Sequence, residues 1–295
     1  YGSKGANGVI IVKTRLARDR ERSCNISSNV GLNLNGDGIN HNHHIAFGAY
    51  KNQSGFNISG NFRNTTGPVA RNSGNFGSLK ADFETSANKY MWFKFNALVS
   101  MGQTDAPAGV NYIGKPSMTL AMRDAALSHG TGASIWASEY DDNTEAYRAL
   151  LSAEARLNPT KWLYVTLYGG ADFQHNTRTF WYGFNTPFGK ASEWNEQGGA
   201  ASDIFSRLFS YNAGGRIGTD FFLGKGIHNI KAELNADVAG FNNDYNTMNG
   251  YNFIVDLLRG KGLMTGAYAI RHYKYGTDYS SIGISSLASY KFKNI

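Results

Sequence analysis

The sequence predicts an all-β fold, a transmembrane antiparallel β-barrel wall of about ten strands. Three observations lead there. Glycine is abundant at 35 and proline scarce at 5 in 295 residues, with 14% aromatics, a balance of strands and tight turns. Apolar and polar residues alternate with period two almost throughout, as in Ile230, Ala232, Leu234, Ala236 and Val238 set against Asn229, Lys231, Glu233, Asn235 and Asp237. The connectors alternate between short and long, the pattern of a barrel with tight turns on one side of a membrane and loops on the other.

Along the chain, Tyr1-Gly2-Ser3-Lys4-Gly5-Ala6-Asn7-Gly8 places three glycines in a tight turn that runs into the apolar stretch Val9 to Val12. A phosphate-binding loop needs a strand before its glycines and a helix opened by Lys-Ser/Thr after them, so the order here is wrong for a nucleotide. The basic cluster from Arg15 to Arg22 contains Asp19 and Glu21 and is expected to be a solvated linker; the net charge of +7 is otherwise scattered, and no nucleic-acid partner is expected. Strands are then predicted at 26–35, 43–52, 55–64, 78–86, 90–102, 146–157, 162–175, 205–219, 228–242 and 278–291. Their faces separate cleanly: Phe56, Ile58 and Phe62 oppose Asn57, Ser59, Asn61 and Arg63, while Leu163, Val165 and Leu167 oppose Tyr164, Thr166 and Tyr168. Acids and bases share the polar face.

Short connectors are expected at 52–55, 87–89, 158–161 and 223–226, with long ones around 36–42, 65–77, 103–145, 176–204 and 243–277. A short helix is expected from Ser117 to Ser128, capped by Ser117 and followed by Gly130. No apolar run is long enough for a transmembrane helix, and the mean hydropathy is −0.39. A membrane-spanning strand needs only about 9–11 residues with every second one apolar, so a low average does not argue against a barrel.

The stretch from Tyr1 to Thr14 resembles the end of the plug domain in SusC/RagA-type TonB-dependent outer-membrane transporters, with Lys4 where that family more often has Arg. As a specific motif the resemblance covers those residues alone; as a pattern it covers the whole chain. It implies that residues 1–22 are the C-terminal end of a plug domain and a linker, and that 23–295 form the N-terminal half of a 22-stranded barrel. The chain is accordingly expected to be a piece of a longer protein. The resemblance further implies import of an oligosaccharide or peptide across the outer membrane of a Gram-negative bacterium of the Bacteroidota kind. The implied partners are a SusD-like surface lipoprotein acting as a lid, the TonB-ExbB-ExbD complex, and outer-membrane lipid and lipopolysaccharide. A siderophore or cobalamin transporter would share the barrel but not the opening motif. An adhesive or structural β-protein would turn its polar faces to water.

No metal, cofactor or enzymatic activity is expected. His41, His43 and His44 are closely spaced, but neighbours in an extended segment point to opposite faces and at most a pair can converge. Glu139, Asp141, Asp142 and Glu145 are expected in one long acidic loop, without the spacing or glycine of an EF-hand. No nucleophile elbow, zinc-type cysteine pair or His-Glu-x-x-His helix occurs, and Cys24 stands alone. Trp92 and Trp162 follow short turns and fall on the polar-face series, an awkward position for an interfacial belt. Trp136, Tyr140, Trp181 and Tyr182 are expected in long loops, where aromatic rings suit contact with substrate or lid.

Overall fold

Asn52 and Gln53 both take positive φ, 51° and 64°, so the first tight connection is a two-residue turn of the primed type that matches the twist of paired strands. The other short connectors have their own local causes. The Asn88 carboxamide oxygen accepts from the Tyr90 amide at 2.8 Å, and the Thr160 hydroxyl oxygen accepts from the Leu163 amide at 3.1 Å. In the computed structural model the described residues are 22–33, 38–67, 73–105, 140–182, 199–223, 228–253 and 267–292.

These residues form ten strands: β1 (Arg22–Asn33), β2 (Gly38–Lys51), β3 (Ser54–Thr66), β4 (Ser73–Asn88), β5 (Met91–Asp105), β6 (Tyr140–Leu157), β7 (Leu163–Tyr182), β8 (Ala200–Leu223), β9 (His228–Phe253) and β10 (Ala267–Phe292). They make one sheet in strict chain order, every neighbour antiparallel. Each expected strand is present. The ends at the short turns agree within a few residues, whereas the opposite ends of β2 to β10 run further: β9 continues from 242 to 253 and β10 begins at 267 instead of 278. The long connectors shrink accordingly, the first two to 34–37 and 67–72.

The strands slant. A line of paired residues starts at Ile26, four residues above the lower end of β1. It passes through Ile45, Gly60, Leu79, Val99, Ala149, Phe173, Phe209 and Asn242 to Asp278, fourteen residues above the lower end of β10. A climb of about one residue per strand, at 3.3 Å per residue and 4.8 Å between strands, corresponds to a tilt of about 35–40°, the tilt of a barrel wall.

The two faces differ in chemistry. One carries Met91, Phe93, Phe95, Ala97, Val99 and Met101 on β5 and Leu163, Val165, Leu167, Ala171 and Phe173 on β7, and of these Phe93, Phe95, Val99, Met101, Leu167 and Phe173 are exposed. The band ends where Gln103, Glu145 and His175 follow on β5, β6 and β7, so each of these apolar spans is eleven residues long, enough to cross a bilayer. The opposite face is concave, with a hollow over β6 to β10 lined by Leu150, Ser152, Asp172, Asn212, Phe241 and Tyr279. A small buried cluster of Trp181, Ala201 and Phe253 sits at the long-connector end. β1 and β10 are the two edges of the sheet. The opening motif Tyr1 to Gly8, the expected helix 117–128, Trp136 and Glu139 lie outside the described residues.

Candidate functional site

The concave face is the candidate site, because alternation directs nearly every charged side chain of the membrane-spanning region there. Lowest on it, the Arg156 guanidinium lies 4.4 Å over the Tyr164 ring. The Tyr164 hydroxyl donates to Glu233, and Arg216 stands 3.8 Å from the same carboxylate. Beside them Lys231 meets Asp220 at 2.9 Å, and Asn229 donates to Asp220 at 2.7 Å. Higher up, Arg148 donates twice to Asp172, at 2.9 and 2.7 Å, and Gln174 donates to the same carboxylate at 3.1 Å. Lys80 pairs with Asp82 at 2.9 Å, and Asn96 donates to the Ser152 hydroxyl at 2.9 Å.

Glycines give this face its relief. A Cβ on Gly214 would stand 2.6 Å from the Tyr168 hydroxyl oxygen, and one on Gly218 would overlap the Tyr164 ring. The two tyrosines therefore lie flat across β8 and reach Asn235 and Glu233 on β9. Cross-strand aromatic cover of a glycine ties three strands into one unit. Such a wall, with charges of both signs paired across and along its strands, can face water or a polar plug.

Above the membrane band the acidic segment is not a loop. Asp141, Asp142 and Glu145 lie in β6. Asp142 is only 3% exposed and accepts two hydrogen bonds from Arg178, at 2.8 and 2.5 Å, so pairing with β7 extends the strand through residues that show no apolar alternation. The Arg178 guanidinium also lies 5.4 Å from the Phe180 ring centroid. Burial pushes the Asp203 carboxyl above its ordinary range, partly offset by a hydrogen bond from Thr179.

The histidines belong to β2. His41 and His43 share one face with their rings stacked 5.8 Å apart, His44 takes the other, and the Ser28 hydroxyl lies 2.9 Å from His43 Nδ1. Among the described residues no three His, Cys, Asp or Glu side chains converge as metal ligands.

The expected recognition aromatics are only partly brought together. Tyr140 and Tyr182 are register partners at the ends of β6 and β7 instead of lying in loops. Trp181 is 2% exposed and packs edge-on against Phe253, centroids 4.6 Å apart, so its ring is part of the buried cluster and offers no open face. Trp92 sits opposite Arg156 on the concave face, as its parity requires. A second aromatic group was not expected: Phe241 and Tyr245 on β9 stack with Tyr279 and Tyr275 on β10, at 5.7 and 4.7 Å. Its sequence signal is the spacing of Tyr273, Tyr275 and Tyr279, all on one face, within a stretch otherwise too polar to show alternation.

No family model matches the sequence, and no curated protein sequence matches it. Solved structures do match in fold. The RagAB peptide transporter superposes with a TM-score of 0.64 at 15% identity, over 86% of this chain and 30% of that one. The closed-closed state of the RagAB peptide importer gives 0.62 at 15% identity, over 86% and 30%. The ferric citrate transporter FecA in its unliganded form gives 0.59 at 12% identity, over 86% and 33%. This chain thus spans about a third of the length of these structures, and its ten-stranded sheet has the fold of part of a TonB-dependent transporter barrel.

Proposed function

We propose that the chain is part of a TonB-dependent outer-membrane importer of the SusC/RagA kind, with no enzymatic activity. Residues 1–22 are the end of its plug and a linker, and 23–295 are the first part of its barrel wall. The observation that carries this reading is the wall itself: eleven-residue apolar spans on the convex face, paired charges on the concave face, and connectors that alternate in length. The glycine motif from Tyr1 to Gly8 supports the SusC/RagA assignment over a siderophore or cobalamin receptor. The likeness in fold to a peptide transporter supports the same class.

In this reading the paired charges of the concave face contact the plug and the water around it, and the long connectors face the cell exterior. A SusD-like lipoprotein covers that mouth, and the substrate is an oligosaccharide or peptide. TonB-ExbB-ExbD acts from the periplasmic side, and lipid and lipopolysaccharide surround the convex face. Trp136, Tyr140 and Tyr182 contribute to substrate or lid contact, while Trp181 supports the strand ends that carry them. Deleting the gene and measuring growth on oligosaccharides and peptides as sole carbon sources tests the proposal. A growth defect on one class, reproduced by dissipating the proton gradient, is expected; unchanged growth and uptake on every source tested contradicts import.

A further inference from the structure

We propose that the concave face of β1 to β3 is the seam at which the plug parts from this section of the wall, opening an aqueous path for the imported solute; this rests on the import reading and locates where that import runs. Alternation assigns the faces. The register pairs Asn29–Asn42, Ala46–Ser59 and Gly48–Asn57 fall on the concave side, while Ile26, Ile45 and Ile58 fall on the convex side. From 23 to 31 on β1, 40 to 50 on β2 and 55 to 65 on β3, the residues that alternate onto the concave face include no carboxylate, and only Arg63 and His44 can carry charge at neutral pH. Arg63 is drawn aside, its guanidinium carbon 5.8 Å from the Phe76 ring centroid on β4. The side chains are also short. A Cβ on Gly48 would stand 3.1 Å from the Ser23 hydroxyl oxygen and 3.2 Å from the Asn57 carboxamide oxygen, so two small polar groups close over the glycine.

The neighbouring strands differ. Each strand from β4 to β9 brings charge to the concave face. Across β4, β5 and β6 the register places Glu84 beside Lys94 and Lys94 beside Glu154, so the signs alternate along the wall. Further round, the pairs of Arg148 with Asp172 and of Lys231 with Asp220 continue the pattern. Hydrogen bonds to a charged group are about twice as strong as those between neutral groups. An amide or hydroxyl, by contrast, exchanges a neutral partner for water at little net cost. A polar plug resting against both regions therefore holds to β4–β9 and releases from β1–β3. The gap that opens is lined by amides and hydroxyls, which hydrate readily and trap a solute of neither sign.

The test uses the full-length protein in living cells, with Cys24→Ser removing the free thiol of β1. Single cysteines are introduced in the seam by Asn42→Cys, Ser59→Cys or Asn61→Cys, and outside it by Ser152→Cys, Asn212→Cys or Asn235→Cys; heat-modifiability checks that each variant is folded. Cells are fed a mixture of soluble oligosaccharides and a casein peptide digest. Labelling by a membrane-impermeant maleimide is timed with the proton gradient intact and again after a protonophore. The intact gradient is expected to speed labelling of the seam cysteines by about fivefold or more and to change the others by less than about twofold, since labelling follows the open fraction. A gradient-dependent rise outside the seam that equals or exceeds the rise within it, or no rise at any position, overturns the seam. Deleting the gene separates the two readings: a growth defect alongside either of those results leaves the import reading standing, and normal growth on every source defeats the import reading itself.

Discussion

The Tyr168 hydroxyl donates to the Asn235 carboxamide oxygen at 2.9 Å although β8 lies between their strands. The ring crosses β8 over Gly214, where a Cβ would meet the Tyr168 hydroxyl oxygen at 2.6 Å and the Ala236 carbonyl oxygen at 2.8 Å. The second contact is backbone and cannot step aside. Gly214→Ala in the full-length protein is expected to cost about 1–3 kcal/mol, read as an earlier midpoint in heat-modifiability. Gly77→Ala is the control, since its nearest atom is Met101 Cγ at 3.9 Å, and a shift within about 0.5 kcal/mol is expected.

Asp142 is buried, and Arg178 supplies two of its hydrogen bonds. Arg178→Ala takes those away from a carboxylate with little access to water, an expected loss of about 3–5 kcal/mol. Replacing both partners with apolar residues of similar volume, Asp142→Leu with Arg178→Met, is expected to be far less costly than the single change. Equal losses in the single and double variants would show that the pair itself, rather than the orphaned carboxylate, dominates.

Asp203 lies in β8 above the membrane band, and burial raises its carboxyl. The folded chain therefore binds that proton more tightly than the unfolded chain, and the carboxylate destabilises the fold increasingly as pH rises toward the folded-state value. Asp203→Asn keeps an acceptor for Thr179 and removes the charge. Its stabilisation should be full above the folded value, decline on acidification, and vanish below the unfolded value of about 3.9. A pH-independent difference between variant and wild type would reject burial as the cause.

These features were unevenly legible in the sequence. All ten strands could be read where one face meets apolar surroundings and the other does not, because only there does period two impose itself on composition. It failed from Asn243 to Phe253, where Asn243-Asp244-Tyr245-Asn246-Thr247 is polar on both faces. That segment is held by its pairing with β10 and by the Tyr245–Tyr275 stack, both contacts between residues distant in sequence. Asp142 looked like loop acid for the same reason, since its partner Arg178 is 36 residues away. Trp181 looked like a loop aromatic because nothing local announces Phe253 beneath it.

Leu234 sits on the convex face, exposed, between Ala232 and Ala236. Leu234→Arg is expected to destabilise the assembled protein by about 2–4 kcal/mol if the residue lies near the bilayer midplane, measured by the urea dependence of refolding into lipid vesicles. The same substitution at the inward neighbour Asn235 should cost much less, since the lumen tolerates charge. Equal costs at the two positions would mean that the faces do not meet different surroundings.

The central claim, that this sheet is a membrane wall with its apolar face outward, is tested most directly by single-cysteine labelling of the full-length protein in native outer membranes. Cys24 is first replaced by Ser, and cysteines are then placed one at a time at 233 to 238. Water-soluble maleimide is predicted to label positions 233, 235 and 237 and to spare 234, 236 and 238, which should react with a lipid-soluble maleimide instead. Equal aqueous labelling of both series would contradict the account and return the chain to a β-protein with water on both faces.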